Sequence, residues 1–173
     1  MDSYLKKLQR ALNEATEGMS AEERSWHPPG KWCADEVLEH LYLTYMGTIR
    51  GFARALEAGK PPATRTTLGQ RARNLLVLGL GYFPEGRKAP AGVVPRGLAG
   101  ETVRGEISGK LAEMDEIIGR CECELGGGKF RGRAILEHPI LGPLTARQWR
   151  KFHLVHGMHH VKQIRRLREG SRG

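Results

Sequence analysis

Four of the seven histidines in this 173-residue sequence fall within eight positions, at His153, His156, His159 and His160. At about 100° per residue, an α-helix through them brings Trp149, His160, Gln163 and Leu167 within about 40° of His156. His156 and His160 are then an i, i+4 pair whose imidazoles can converge on one metal ion, the geometric reason that HExxH works in zinc hydrolases. The residue after His156 is Gly157, so the carboxylate base of that motif is missing and the metalloprotease reading falls away. A diiron carboxylate bundle fails too, because it needs several inward glutamates and paired ExxH motifs.

Two imidazoles make a weak site, and a third ligand has to come from elsewhere in the chain. His40, in ADEVLEHL, is the natural candidate, since a histidine inside a helix has modest propensity and no capping role there. Glu36, Thr44, Gly47 and Gly51 share its side of the helix, roughly 130° from the centre of the apolar stripe. Small and polar neighbours leave room for a pocket. The plainer reading stands beside this one: a buried histidine is commonly a hydrogen-bonded core residue, and histidine clusters also occur on solvated faces. His153 and His159 flank the pair and read as supporting or surface groups. His27 and His138, in loops beside prolines, receive no role.

The elements that must hold these residues follow from apolar spacing. Leu5, Leu8, Leu12, Ala15 and Met19 predict a first amphipathic helix over residues 3–18. Residues 26–32 (WHPPGKW) carry two prolines and a glycine and read as a loop. A second helix is predicted over 34–58, striped by Leu38, Leu41, Tyr45, Ile49, Phe52 and Leu56, and stopped by Gly59, Pro61 and Pro62. Residues 60–100 form a long connection with room for one irregular helix around LLVLGLGYF. Val103, Ile107, Leu111, Met114, Ile117 and Ile118 mark a third helix that ends before Gly126–Gly128. HPILGPLT is turn-rich and closes on Thr145, which can form a capping box with Gln148, so the fourth helix starts near Ala146 and runs to about Arg168. No strand is predicted. Four long helices with one extended crossover imply an all-α four-helix bundle, a single domain over residues 1–173.

Composition narrows the function classes. With 39% hydrophobic and 27% charged residues, the chain is globular rather than disordered. No apolar run reaches the length of a membrane helix and the first residues lack a secretory pattern, so a cytoplasmic protein with no membrane partner is expected. Cys33, Cys121 and Cys123 are an odd set without CxxC spacing, which argues against a disulfide framework or a thiolate zinc site. The formal charge of +9 raises nucleic-acid binding. Residues 147–173 hold eight Lys/Arg against Glu169. That cluster has no aromatic interleaving and no helix-turn-helix or zinc-finger spacing, which argues against a nucleic-acid partner.

Three segments, PPGKWCADEVLEHL, HPILGPLTARQW and HGMHHVKQI, together resemble the DinB/YfiT-like superfamily. The family pattern has a tryptophan, a serine capping a helix with a histidine in its second turn, and later HxxxH followed closely by glutamine. Trp32 and His40 match the first part; His156, His160 and Gln163 match the second. Cys33 stands where the family often has serine, which weakens the helix cap and leaves the ligands untouched. The resemblance implies an up-down-down-up bundle, with His40, His156 and His160 as metal ligands on two helices and water completing the shell. It implies zinc or nickel as the divalent metal, although imidazole suits several ions.

Three protein ligands leave an open coordination position, the mark of a catalytic rather than a structural site. A metal there can lower the pKa of water or hold a thiolate for attack on an electrophile. The resemblance favours transfer dependent on a low-molecular-weight thiol, acting on a small-molecule substrate, with metal-dependent hydrolysis second. A non-catalytic, metal-stabilised binding module is the rival from another class. Gln163 can orient the ligand shell, and Glu36 can serve as base or hydrogen-bond acceptor if it reaches the pocket. Leu154, Met158 and Val161 form an apolar row opposite the histidines, from which a homodimer is expected.

Overall fold

A computed structural model describes residues 1–60, 65–84, 86, 88–125 and 133–172. Pro61, Pro62 and the Gly126–Gly128 run, expected as helix stops, lie outside the described residues. Among those described there are six α-helices and one two-stranded sheet, so the chain is mostly helical, as expected. The strand pair is a correction to the reading without strands.

Helix α1 (Ser3–Thr16) is capped by the Asp2 carboxylate, which accepts the Tyr4 N–H, and buries Leu5, Leu8, Ala11, Leu12 and Ala15. Helix α2 (Ala21–Ser25) is a short turn that apolar spacing could not show, because none of its residues is buried; a capping box between Ser20 and Glu23 sets it. Helix α3 (Ala34–Ala58) has the predicted bounds and closes on Gly59 at φ 63°, a left-handed conformation that suits glycine. Its N-terminus is capped by sulfur. The Cys33 Sγ accepts the Glu36 N–H at 3.5 Å and the Glu36 carboxylate accepts the Cys33 N–H at 2.8 Å.

The crossover contains α4 (Leu68–Asn74), which runs directly into a π-helical turn over Leu75–Gly79, and a single 3-10 turn at Ala91–Val93. Helix α5 (Gly100–Leu125) follows. Strands β1 (Leu136–His138) and β2 (Gly142–Leu144) pair antiparallel, with His138 opposite Gly142. Three-residue strands are too short to display a period of two. Helix α6 (Ala146–Gly170) begins with the predicted box: the Thr145 hydroxyl accepts from the Gln148 N–H and the Gln148 side chain accepts from the Thr145 N–H.

Helix α3 packs along α5, and α1 along α6. Their apolar faces meet in one cluster that includes Tyr45, Phe52, Leu111, Met114, Ile118 and Ile164. Arg150 leaves the basic surface of α6 to bind Asp115 and Glu122 of α5, at 2.7 and 2.9 Å. The row from which a second subunit was inferred is covered within the chain: Val161 is fully buried, and Leu154 and Met158 are half-buried against the core. Among the described residues no helix is long and apolar enough to cross a membrane.

Candidate metal centre

Helices α3 and α6 bring His40, His156 and His160 together, all three buried, with one ring nitrogen from each lying within 4.8 Å of the others. The His156 Nε2 stands 3.3 Å from the His40 Nε2 and 3.1 Å from the His160 Nε2. Three nitrogens each ~2.0–2.1 Å from a shared ion, at angles between octahedral and tetrahedral, would be spaced about 2.9–3.4 Å apart. Both of these separations fall in that range and the third pair lies within 4.8 Å, so this group could hold a metal ion.

The outer nitrogens decide which tautomers face inward. The His40 Nδ1 lies 2.8 Å from the Val93 carbonyl, which can only accept, so Nδ1 carries the proton and Nε2 presents a lone pair. The His160 Nδ1 donates in the same way to the Gln163 Oε1 at 3.1 Å. The His156 Nδ1 is buried without a hydrogen-bond partner among the described residues. A proton on the His156 Nε2 can satisfy only one of the two lone pairs that face it, whereas a cation satisfies all three nitrogens at once. The donor set therefore fits a metal ion better than it fits a closed hydrogen-bond network.

Burial keeps these imidazoles neutral, the form that ligates metals. It pushes His160 down to about 3 and lowers His40, while burial and then neighbouring histidines hold His156 well below its ordinary value. Aromatic rings shield the group. Phe152 stacks on His156 with planes 6° apart, Phe83 lies 5.0 Å from it, and Trp32 lies 5.3 Å from His40, centroid to centroid.

Glu36 is used differently from the expectation. Its carboxylate closes the α3 capping box one turn before His40, and it is not part of the histidine group. The acid that matters more is Glu39, which the sequence did not single out. It is only 2% exposed, and its carboxylate accepts the backbone N–H groups of Arg96, Gly97 and Leu98 at 2.8, 3.1 and 3.1 Å. Gly97, at φ +83°, lets three successive N–H groups converge on one anion. Glu39 thus fastens the crossover beside the Val93 carbonyl that orients His40.

Two other histidines are corrected. His153, read as a supporting or surface group, is not at the surface: it is fully buried with its Nε2 3.2 Å from the Thr48 hydroxyl, and burial pushes it down to about 3. His138, left without a role, accepts the Ile140 and Leu141 N–H groups at its Nδ1, both at 3.1 Å, and so closes the β1–β2 turn. His159 packs against Phe83, 5.3 Å between ring centroids. The missing HExxH glutamate also has a steric reason: a Cβ at Gly157 would overlap the Leu8 side chain, because α1 crosses α6 there.

An apolar cavity of about 470 Å³ reaches the centre, with His40 and His156 in its wall. Its remaining wall comes from α3, α6, the β1–β2 hairpin, the π-helical turn and the crossover, so the stretch least legible in sequence supplies much of it.

The model of the DinB superfamily matches residues 4–164 of the chain. Neither the curated proteins nor the solved structures give a match.

Proposed function

This chain belongs to the DinB superfamily, and on that premise we propose that it is a divalent-metal-dependent enzyme in which His40, His156 and His160 hold the ion. The observation that carries the reading is the convergence of three buried Nε2 atoms at 3.1 and 3.3 Å, two of them held as lone-pair donors by their Nδ1 partners. Three ligands leave a position open, and the apolar cavity reaches two of these histidines, His40 and His156. That access favours an enzyme over a metal-stabilised binding module. Zinc and nickel suit an all-imidazole set. A four-helix up-down-down-up arrangement, a single domain over residues 1–173 and a cytoplasmic location belong to the same proposal.

A divalent ion at this point supplies Lewis-acid chemistry, lowering the pKa of a thiol or water that reaches it. The chain's own groups do the rest. Val93 and Gln163 fix the ligand tautomers, and Phe83, Phe152 and Trp32 limit water around the histidines. The choice between transfer and hydrolysis turns on the proton. Glu36 is committed to the helix cap and Glu39 to three N–H groups, and the ligand group contains no carboxylate among the described residues. A thiol, with pKa near 8.5, needs far less help to ionise than water does. We therefore place thiol-dependent S-transfer first, with a low-molecular-weight thiol as co-substrate. In it the thiol proton goes to solvent, a carbon–sulfur bond forms, and the leaving group departs with its electron pair.

The test is elemental analysis of untagged protein beside a His156→Ala/His160→Ala double variant. About one equivalent of zinc, nickel or another divalent metal per chain, lost in a variant that still folds, is the expected result. Wild-type protein that takes up no metal after incubation with zinc and with nickel would overturn the reading and leave the histidines structural.

A further inference from the structure

Two turns beyond His40 on the same face of α3, Gly47 lines the apolar chamber, and a Cβ built there meets nothing within 4 Å. A glycine inside a helix is destabilising relative to alanine, and here neither a positive φ nor a close packing contact accounts for it. Gly105 and Gly109 of α5 also have open space around them but face solvent. Gly47 opens instead onto a space walled by Val77, Phe152 and Leu136. What the missing side chain preserves is room inside the chamber.

The chamber runs along α3. From His40 to Gly51, both in its wall, α3 advances eleven residues, or about 16 Å. The charged residues of the wall, Arg73 and Glu137, are both exposed and so sit at its rim; Arg73 donates its Nε–H to the Ile140 carbonyl at 3.1 Å.

We propose that this chamber binds the apolar body of the substrate, an uncharged alkyl or aryl chain whose polar reactive end lies at His40 and His156, and that Gly47 sets the bulk it accepts. The orientation rests on the metal-centre reading; occupancy of the chamber does not.

Displacement of the apolar fluorophore N-phenyl-1-naphthylamine tests both parts, using n-alkanols of increasing length and n-alkyl hydroxamic acids of the same lengths. In wild-type protein the alkanols should bind about fourfold more tightly per added methylene until the chamber is filled, and then no further. Gly47→Leu, which introduces a better helix former, should keep the wild-type circular dichroism. It should weaken the longer chains at least tenfold while leaving the shortest unchanged. Zinc-loaded protein should prefer each hydroxamate over its alkanol by a constant factor that disappears in His156→Ala/His160→Ala. Affinity independent of chain length would overturn the chamber proposal, whatever the variant does. Equal long-chain affinity in folded Gly47→Leu and wild type would overturn the role of Gly47. A length dependence without any hydroxamate preference would support the chamber and overturn the metal-directed orientation.

Discussion

Replacing Glu39 probes how the crossover is held over the histidines. Its carboxylate is buried and accepts three backbone N–H groups, from residues 96, 97 and 98. Hydrogen bonds to a charged acceptor contribute about 1.5–3 kcal/mol each, which sets an upper bound near 5–9 kcal/mol for the three. Two effects reduce it. The carboxylate no longer has to be desolvated in the variant, and residues 96–98 are exposed, so their freed N–H groups find water. A net loss of about 2–4 kcal/mol is expected for Glu39→Ala, and about half of that for Glu39→Gln, whose amide oxygen can still accept two of the three bonds. Urea unfolding reads this loss. Because the same segment carries the Val93 carbonyl that orients His40, zinc affinity measured by chelator competition should fall ~10-fold or more. A stability loss below about 0.5 kcal/mol would refute the hydrogen-bond accounting. A clear loss of stability with zinc affinity within twofold of wild type would refute the positioning role and leave Glu39 a structural clasp.

Gln163→Leu removes the acceptor of the His160 Nδ1–H while leaving α6 intact; zinc affinity should drop about 10–100-fold, Gln163→Glu should retain it, and equal affinities across the three proteins would show that the contact does not orient the ligand. His153 titrates near 3 in the folded chain because burial lowers it, against an unfolded value near 6.5. The unfolded state therefore binds the extra proton between those values, so stability is complete above pH 6.5 and is lost as pH falls toward 3, by up to about 1.4 kcal/mol per pH unit. In metal-free protein, urea midpoints at pH 7, 6, 5 and 4 should show a shallower acid slope for His153→Gln, and an unchanged slope would mean that this imidazole charges without cost.

Most of the helical framework is local physics, and it was legible for that reason. The stripe from Leu38 to Leu56 and the Gly59 stop define α3, and the Thr145–Gln148 box starts α6, because a 3.6-residue period and a cap are written within a few residues. Where that local signal is weak, the reading failed. Helix α2 buries nothing, and β1 and β2 are three residues each; the π-helical turn over LLVLG, by contrast, falls where one irregular helix was expected. Glu39, at the edge of the α3 stripe, looked like any solvated helix acid, since nothing near it in sequence marks N–H groups 57–59 residues away.

The His156/His160 pair followed from spacing on one helix, and the same helical-wheel arithmetic could put His40 on a polar face of another. Whether those two faces meet is a matter of packing between residues 116 positions apart, and helical periodicity carries no information about a partner. The tertiary structure alone decided that the Nε2 atoms point inward, because Val93 and Gln163 hold the opposite nitrogens. It also decided that Gly157 has no room for a side chain, that His153 is sealed in the core, and that Gly47 opens onto a chamber instead of solvent. Sequence determined which groups were available and on which helices; the packing of α3, α6 and the crossover determined which of them share one small volume.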